Sequence, residues 1–147
     1  MNRSIIAILV LIAVGVGGFL FHKDYTYRQQ HGQVTNVDLF SYEQEVEDVQ
    51  GAKPVLIYFY RQEKNSAGDE AQMKIVKDFA WKNAYDVKVV AINTAHVENL
   101  PLALANGALR TPAFVFVSNG KHVNGQNGAR ADSDELERLL DLLLKQH

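Results

Sequence analysis

Pro54-Val55-Leu56-Ile57-Tyr58-Phe59-Tyr60 is a continuous apolar and aromatic run led by a proline. A short run with no polar interruption suits a strand buried on both faces, at the centre of a sheet covered by helices. Pro54 stands at its first position, where a missing N–H is tolerated. The polar stretch from Arg61 to Gly68 then reads as a loop. A helix follows it, because Met73, Ile75, Val76, Phe79 and Ala80 recur on a 3.6-residue stripe.

Downstream, Val87–Ile92 predicts a second buried strand, Asn93 to Asn99 a loop, and Leu100 to Asn106 a short helix closed by Gly107. Ala113–Val117 predicts a strand, Asn119-Gly120 a hairpin turn, and Lys121–Gln126 its partner. Ser133 starts a last helix, with Leu136, Leu139, Leu140, Leu143 and Leu144 as its buried face. Upstream, Gln33–Asp38 alternates around Val34 and Val37 as an edge strand does. Ser41 and Gln44 have capping-box spacing, which predicts a helix through Val46 and Val49 that ends near Gly51. The order βαβαβαββα describes a small three-layer α/β domain.

Ile5 to Phe21 is uncharged and apolar. In a helix it spans roughly 25 Å, enough for a hydrocarbon core. A cleaved signal has a shorter core and a small-residue site; here Gly15-Val16-Gly17 still lies inside the apolar run, so a retained anchor is the preferred reading over a signal. Residues 1–22 are thus read as anchor, 23–32 as a linker ending at Gly32, and 33–147 as the folded domain. Arg3 ahead of the run favours a cytoplasmic N-terminus, and His22, Tyr25 and Tyr27 fit an interfacial belt at the far end. Lys23 and Arg28 lie close to the other end of the run and weigh the other way; secretory precedent tips the expectation toward the extracytoplasmic, periplasmic side. Lys and Arg number 15 against 17 Asp and Glu, a formal net charge of −2 that offers no electrostatic footprint for nucleic acid. The chain has no cysteine.

In this order, these residues resemble thioredoxin. Lys53–Tyr60 is similar to the family's central strand, which ends in Phe-Trp before a Cys-Gly-Pro-Cys loop. Leu109-Arg110-Thr111-Pro112-Ala113 is similar to the strand entry that carries the family's cis-proline. The match continues without a gap to Gly128, through Asn119-Gly120 and Gly128-Ala129. Over about residues 34–145, the resemblance implies a thioredoxin-like α/β fold, a central mixed sheet flanked by helices, preceded here by one transmembrane helix. It also implies what has been lost. Extending the strand register places Lys64 and Ala67 at the two cysteine positions; extending the helix register places Ser66 and Asp69 there. The second is preferred, since a loop absorbs an insertion more easily than a packed helix absorbs a slip. The family's buried carboxylate falls at Tyr58 and its lysine partner near Ala91. Nucleophile, resolving residue and proton relay are all absent, and disulfide exchange requires a thiolate.

Other chemistry finds little purchase. Ser66 has neither a base nor an oxyanion hole that its sequence neighbours supply, and Ser66 to Asp69 has capping-box spacing instead. His22, His31, His96, His122 and His147 form no ligand pair, and Glu43, Glu45, Glu47 and Asp48 read as solvated. No metal or cofactor is expected. Thr111-Pro112 has two readings that stay open: a backbone offered to an extended peptide, or a proline the fold alone requires. The reading adopted is a catalytically inactive, membrane-tethered domain that binds a protein or peptide partner in the envelope. Its groove would be lined by Tyr60, Lys64, Asn65, Ser66, Asp69, Thr111 and Pro112. An architectural subunit of a membrane complex with the groove unused, and an enzyme with non-thiol chemistry, are the alternatives.

Overall fold

The computed structural model describes residues 3–47, 53–62, 67–119 and 121–145, with backbone alone at 3, 4, 47, 67 and 121–124. A long helix, α1 (Arg3–His31), leads into the edge strand β1 (Thr35–Asn36). Then come a π-helical turn (Glu43–Glu47), β2 (Val55–Tyr60), α2 (Ala67–Lys82) and β3 (Lys88–Asn93). A 3-10 turn (Val97–Asn99) opens α3 (Leu100–Ala105), and β4 (Ala113–Ser118), β5 (Lys121–Asn127) and α4 (Ser133–Leu144) complete the chain.

The five strands form one mixed sheet in the order β1-β3-β2-β4-β5. β2 is central: it runs parallel to β3, with Tyr58 opposite Ala91, and antiparallel to β4, with Phe59 opposite Ala113. Strand pleating sends alternate side chains to opposite faces, and each face builds its own core. Leu56, Tyr58, Phe114 and Phe116 pack under α2 and α4, against Val76, Phe79, Leu136 and Leu140. Val55, Ile57, Phe59 and Val115 pack on the other side, against Val46, Leu102 and Ala103. The continuous apolar run of β2 is therefore buried on both faces, as its composition requires.

Several expectations are corrected. Lys23–His31 is not a linker but the last turns of α1, docked on α2. The helical segment begins after Ser41, as expected, and Ser41 O accepts from Glu45 N–H at 2.9 Å. The side-chain pairing differs: Ser41 is paired with Asp38 and not with Gln44. Asp38 Oδ1 accepts from the N–H groups of Phe40 (3.0 Å) and Ser41 (2.9 Å), while Ser41 Oγ accepts from Asp38 N–H (3.1 Å), a reciprocal pair across the turn that leads into the helix. The predicted passage to Val49 and Gly51 lies outside the described residues. α4 does start at Ser133, as expected, and Asp132, the residue before it, caps the helix by accepting from Glu135 N–H at 2.8 Å. On α4, Leu136, Leu139, Leu140 and Leu143 are buried, but Leu144 is 41% exposed, one position past the core-facing stripe. Glu45 is not solvated either, since it is ion-paired with Lys88 at 2.6 Å.

Gln72 belongs to no apolar stripe, yet it is only 3% exposed. Its amide Nε2 donates to Ala131 O (2.8 Å) and its Oε1 accepts from Ala131 N–H (3.1 Å). One side chain thus satisfies both backbone groups of a buried residue and ties α2 to the segment before α4.

Candidate functional site

The carboxyl ends of β2 and β3, the first turn of α2 and the entry to β4 meet at one end of the sheet. β2 and β4 pair up to Phe59 and Ala113, so Tyr60 and Pro112, the next residues, are neighbours there. Thr94 fixes the exit of β2: its N–H (2.8 Å) and Oγ1 (3.1 Å) both donate to Tyr60 O. Asn93 Oδ1 accepts from Gln62 N–H (3.3 Å) and Ala95 N–H (3.0 Å), which steers the chain out of the sheet.

Behind this edge stands an aromatic column. Tyr58 stacks on Tyr60 (5.4 Å between centroids, 18°) and on Phe114 (5.0 Å, 11°). Tyr58 is 1% exposed, and its hydroxyl makes no hydrogen bond to another described residue. Burial pushes its phenol up to about 12, with the negative charges of Asp69 and an ionised Tyr60 adding to the rise and Arg130 opposing it. Burial also raises Tyr60. These influences place Asp69 and Arg130 near the column. The Arg130 guanidinium lies directly over Gly68, filling the space a β-carbon would occupy. A side chain at 68 would have to displace it.

The Thr111–Pro112 peptide is cis. The loop before it is held by the end of β5. Gly128 N–H donates to Pro112 O (2.9 Å) and Arg110 O (3.2 Å) from a backbone at φ +71°, a conformation that favours glycine. The Asn127 side chain accepts from Leu109 N–H (3.1 Å) and donates to Gly107 O (2.9 Å). Thr111, between these clamps, makes no hydrogen bond to any described residue. This backbone, without a partner among the described residues, is held in place by its neighbours.

Of the predicted groove residues, Tyr60, Asp69, Thr111 and Pro112 lie at this end of the sheet, while Lys64, Asn65 and Ser66 lie outside the described residues. Sequence reasoning missed three features. Arg130 gave no signal, being one charged residue in a polar turn. Leu109, two residues before Thr111, is 74% exposed. Val97, Leu100 and Leu104 are exposed as well, at the three- and four-residue spacing that shares one helical face. Below them, a polar cleft of about 300 Å³ opens between Asn36, Asp38, Tyr60, Asn93 and His96. His96 Nδ1 and Glu98 Oε1 are 3.9 Å apart there. Among the described residues, no three His, Asp or Glu side chains converge as a metal site would need.

The fold is that of thioredoxin. The chain matches a chain in the crystal structure of a complex of ferredoxin:thioredoxin reductase with thioredoxin f2, at 23% identity and a TM-score of 0.64, over 76% of this chain and 96% of that one. Thioredoxin f from spinach chloroplast matches at 20% identity and a TM-score of 0.65, over 80% and 92%. A mutant thioredoxin from Halobacterium salinarum NRC-1 matches at 23% and 0.62, over 76% and 91%. No family model matches the chain, and no curated protein matches it by sequence. Identities this low establish the fold alone. The thioredoxin fold is present here without any cysteine, so the chain has no thiol with which to exchange a disulfide. It also carries one N-terminal helix long and apolar enough to cross a membrane, with the apolar part of that helix covered by nothing in the molecule.

Proposed function

We propose that this chain is a non-catalytic thioredoxin-fold domain, anchored through α1 on the extracytoplasmic side of a membrane, that binds an extended protein segment in the envelope. The observation that carries this reading is Thr111: its backbone is clamped on both sides yet keeps its own N–H and C=O unengaged by any described residue. A chain laid beside it would gain main-chain hydrogen bonds, as in strand addition. Leu109, two residues before Thr111 in the chain, is exposed and supplies apolar contact next to it, so the partner is a segment with apolar side chains.

The test uses intact membranes and a photo-crosslinking amino acid at Leu109 or at Lys74, an exposed position of α2. Groove binding predicts a discrete adduct from Leu109 that disappears on Tyr60→Ala or Thr111→Pro substitution. Adducts from Lys74 that survive both substitutions, with none from Leu109, would point to an architectural subunit instead.

A further inference from the structure

The last turns of α1 are latched to the far end of α2. Arg28 Nη1 donates to Trp81 O (2.6 Å) and Lys82 O (2.8 Å), and Arg28 Nε pairs with Asp24 at 3.0 Å. A guanidinium thereby satisfies carbonyls that end a helix, where positive charge is favoured. The Tyr85 hydroxyl donates to Asp24 Oδ1 at 2.9 Å, and its ring lies flat on Tyr27, 4.2 Å away at 3°. Trp81 meets Tyr25 edge-on at 5.8 Å. These contacts hold Trp81 and Tyr85 level with Asp24 and Tyr25, about 6 Å along the helix axis past Phe21, where the apolar run ends.

The layer between hydrocarbon and water is about 5–8 Å deep on each side of a bilayer, and it is where Trp and Tyr side chains collect. We propose that the carboxyl end of α2 is a lipid-seated foot. Trp81 and Tyr85, together with Tyr25 of the anchor, form one interfacial belt whose occupant is the headgroup boundary of the membrane. The domain does not hang from a flexible tether; it stands on the surface. Tyr60 and Asp69 lie at the opposite ends of β2 and α2, so the groove is turned to water, about 17–18 Å from the foot. Its partner is a segment outside the bilayer and not a membrane-embedded helix. This inference rests on the reading of α1 as an anchor.

Trp81 is the only tryptophan in the chain and reports on the foot directly. The full chain is reconstituted in phosphatidylcholine vesicles that carry a nitroxide quencher either near the headgroup or deep in the acyl chain. The expected result is co-flotation with the vesicles and Trp81 emission quenched at least twofold more by the shallow label. Arg28→Ala should keep flotation and lose most of the shallow quenching. Tyr27→Ala, which removes only the ring stack, should lose part of it. Flotation without shallow quenching would overturn the foot and leave the anchor standing. Quenching unchanged in both variants would show that the latch does not seat Trp81. Failure to float would overturn the anchor reading and the foot with it.

Discussion

Tyr58 sits where thioredoxins, by the resemblance of the central strand, carry an acid group, and the exchange turns a proton relay into packing. A buried phenol is neutral at physiological pH and is held more firmly so by its surroundings, which push it up to about 12 from an ordinary 10.0. Because the folded state holds this proton more tightly than the unfolded chain, the stabilisation is complete below pH 10. It is lost as pH rises from the unfolded value through the folded one. The near-ultraviolet absorbance of tyrosinate should therefore show Tyr60 and Tyr85 ionising above the ordinary value and a further phase, from Tyr58, about two pH units late, and stability should fall between pH 10 and 12. Tyr58→Phe should remove the late phase and flatten that fall. At pH 7 it should change stability by less than about 1 kcal/mol, since the hydroxyl has no described partner to lose. A late phase that persists in the variant would assign it to another tyrosine.

Between elements, hydrogen bonds decide matters that hydrophobic patterning leaves open. The single Gln72 side chain ties α2 to Ala131, just ahead of α4. Gln72→Leu keeps the volume near enough but orphans a buried N–H and C=O. The expected loss is about 1–3 kcal/mol, read as a lower urea midpoint with an unchanged slope. No measurable loss would mean that water replaces the amide. The same distinction explains what was legible in the sequence. The strands and α2 were, because long apolar runs and a clear stripe leave one way to bury them. The start of the second helical segment was legible too, but Ser41 pairs with Asp38 rather than with Gln44, because both partners stand at equal spacing from it. Lys23–His31 has no apolar stripe at all; its partners are carbonyls 53 and 54 residues away in sequence and rings farther still, and no local pattern announces those. At the site, Thr111-Pro112 and Tyr60 were legible through resemblance, while Arg130 and Leu109 act through position alone.

For the molecule as a whole, the latch means that the long N-terminal helix is also part of the fold. Gly32 packs against Trp81 and Ala84 closely enough that a β-carbon would meet its neighbours at about 3 Å, so the chain has turned tightly onto α2 by the time the domain proper begins. Two soluble fragments, residues 23–147 and 33–147, separate this view from that of a passive linker. A linker predicts equal stability. The docked helix predicts that the longer fragment is more stable by an amount on the order of 2 kcal/mol, the scale of a charge-assisted hydrogen bond set, or several degrees in Tm for a domain of this size. Placing Arg28→Ala in the longer fragment should recover most of the difference, because the guanidinium makes both bonds to the end of α2. An isolated nine-residue helix is marginal in water, so the helicity of residues 23–31, followed by hydrogen exchange, should vanish in that variant while the sheet stays protected. Equal Tm values for the two fragments, with rapid exchange across 23–31 in both, would return the segment to the status of a linker.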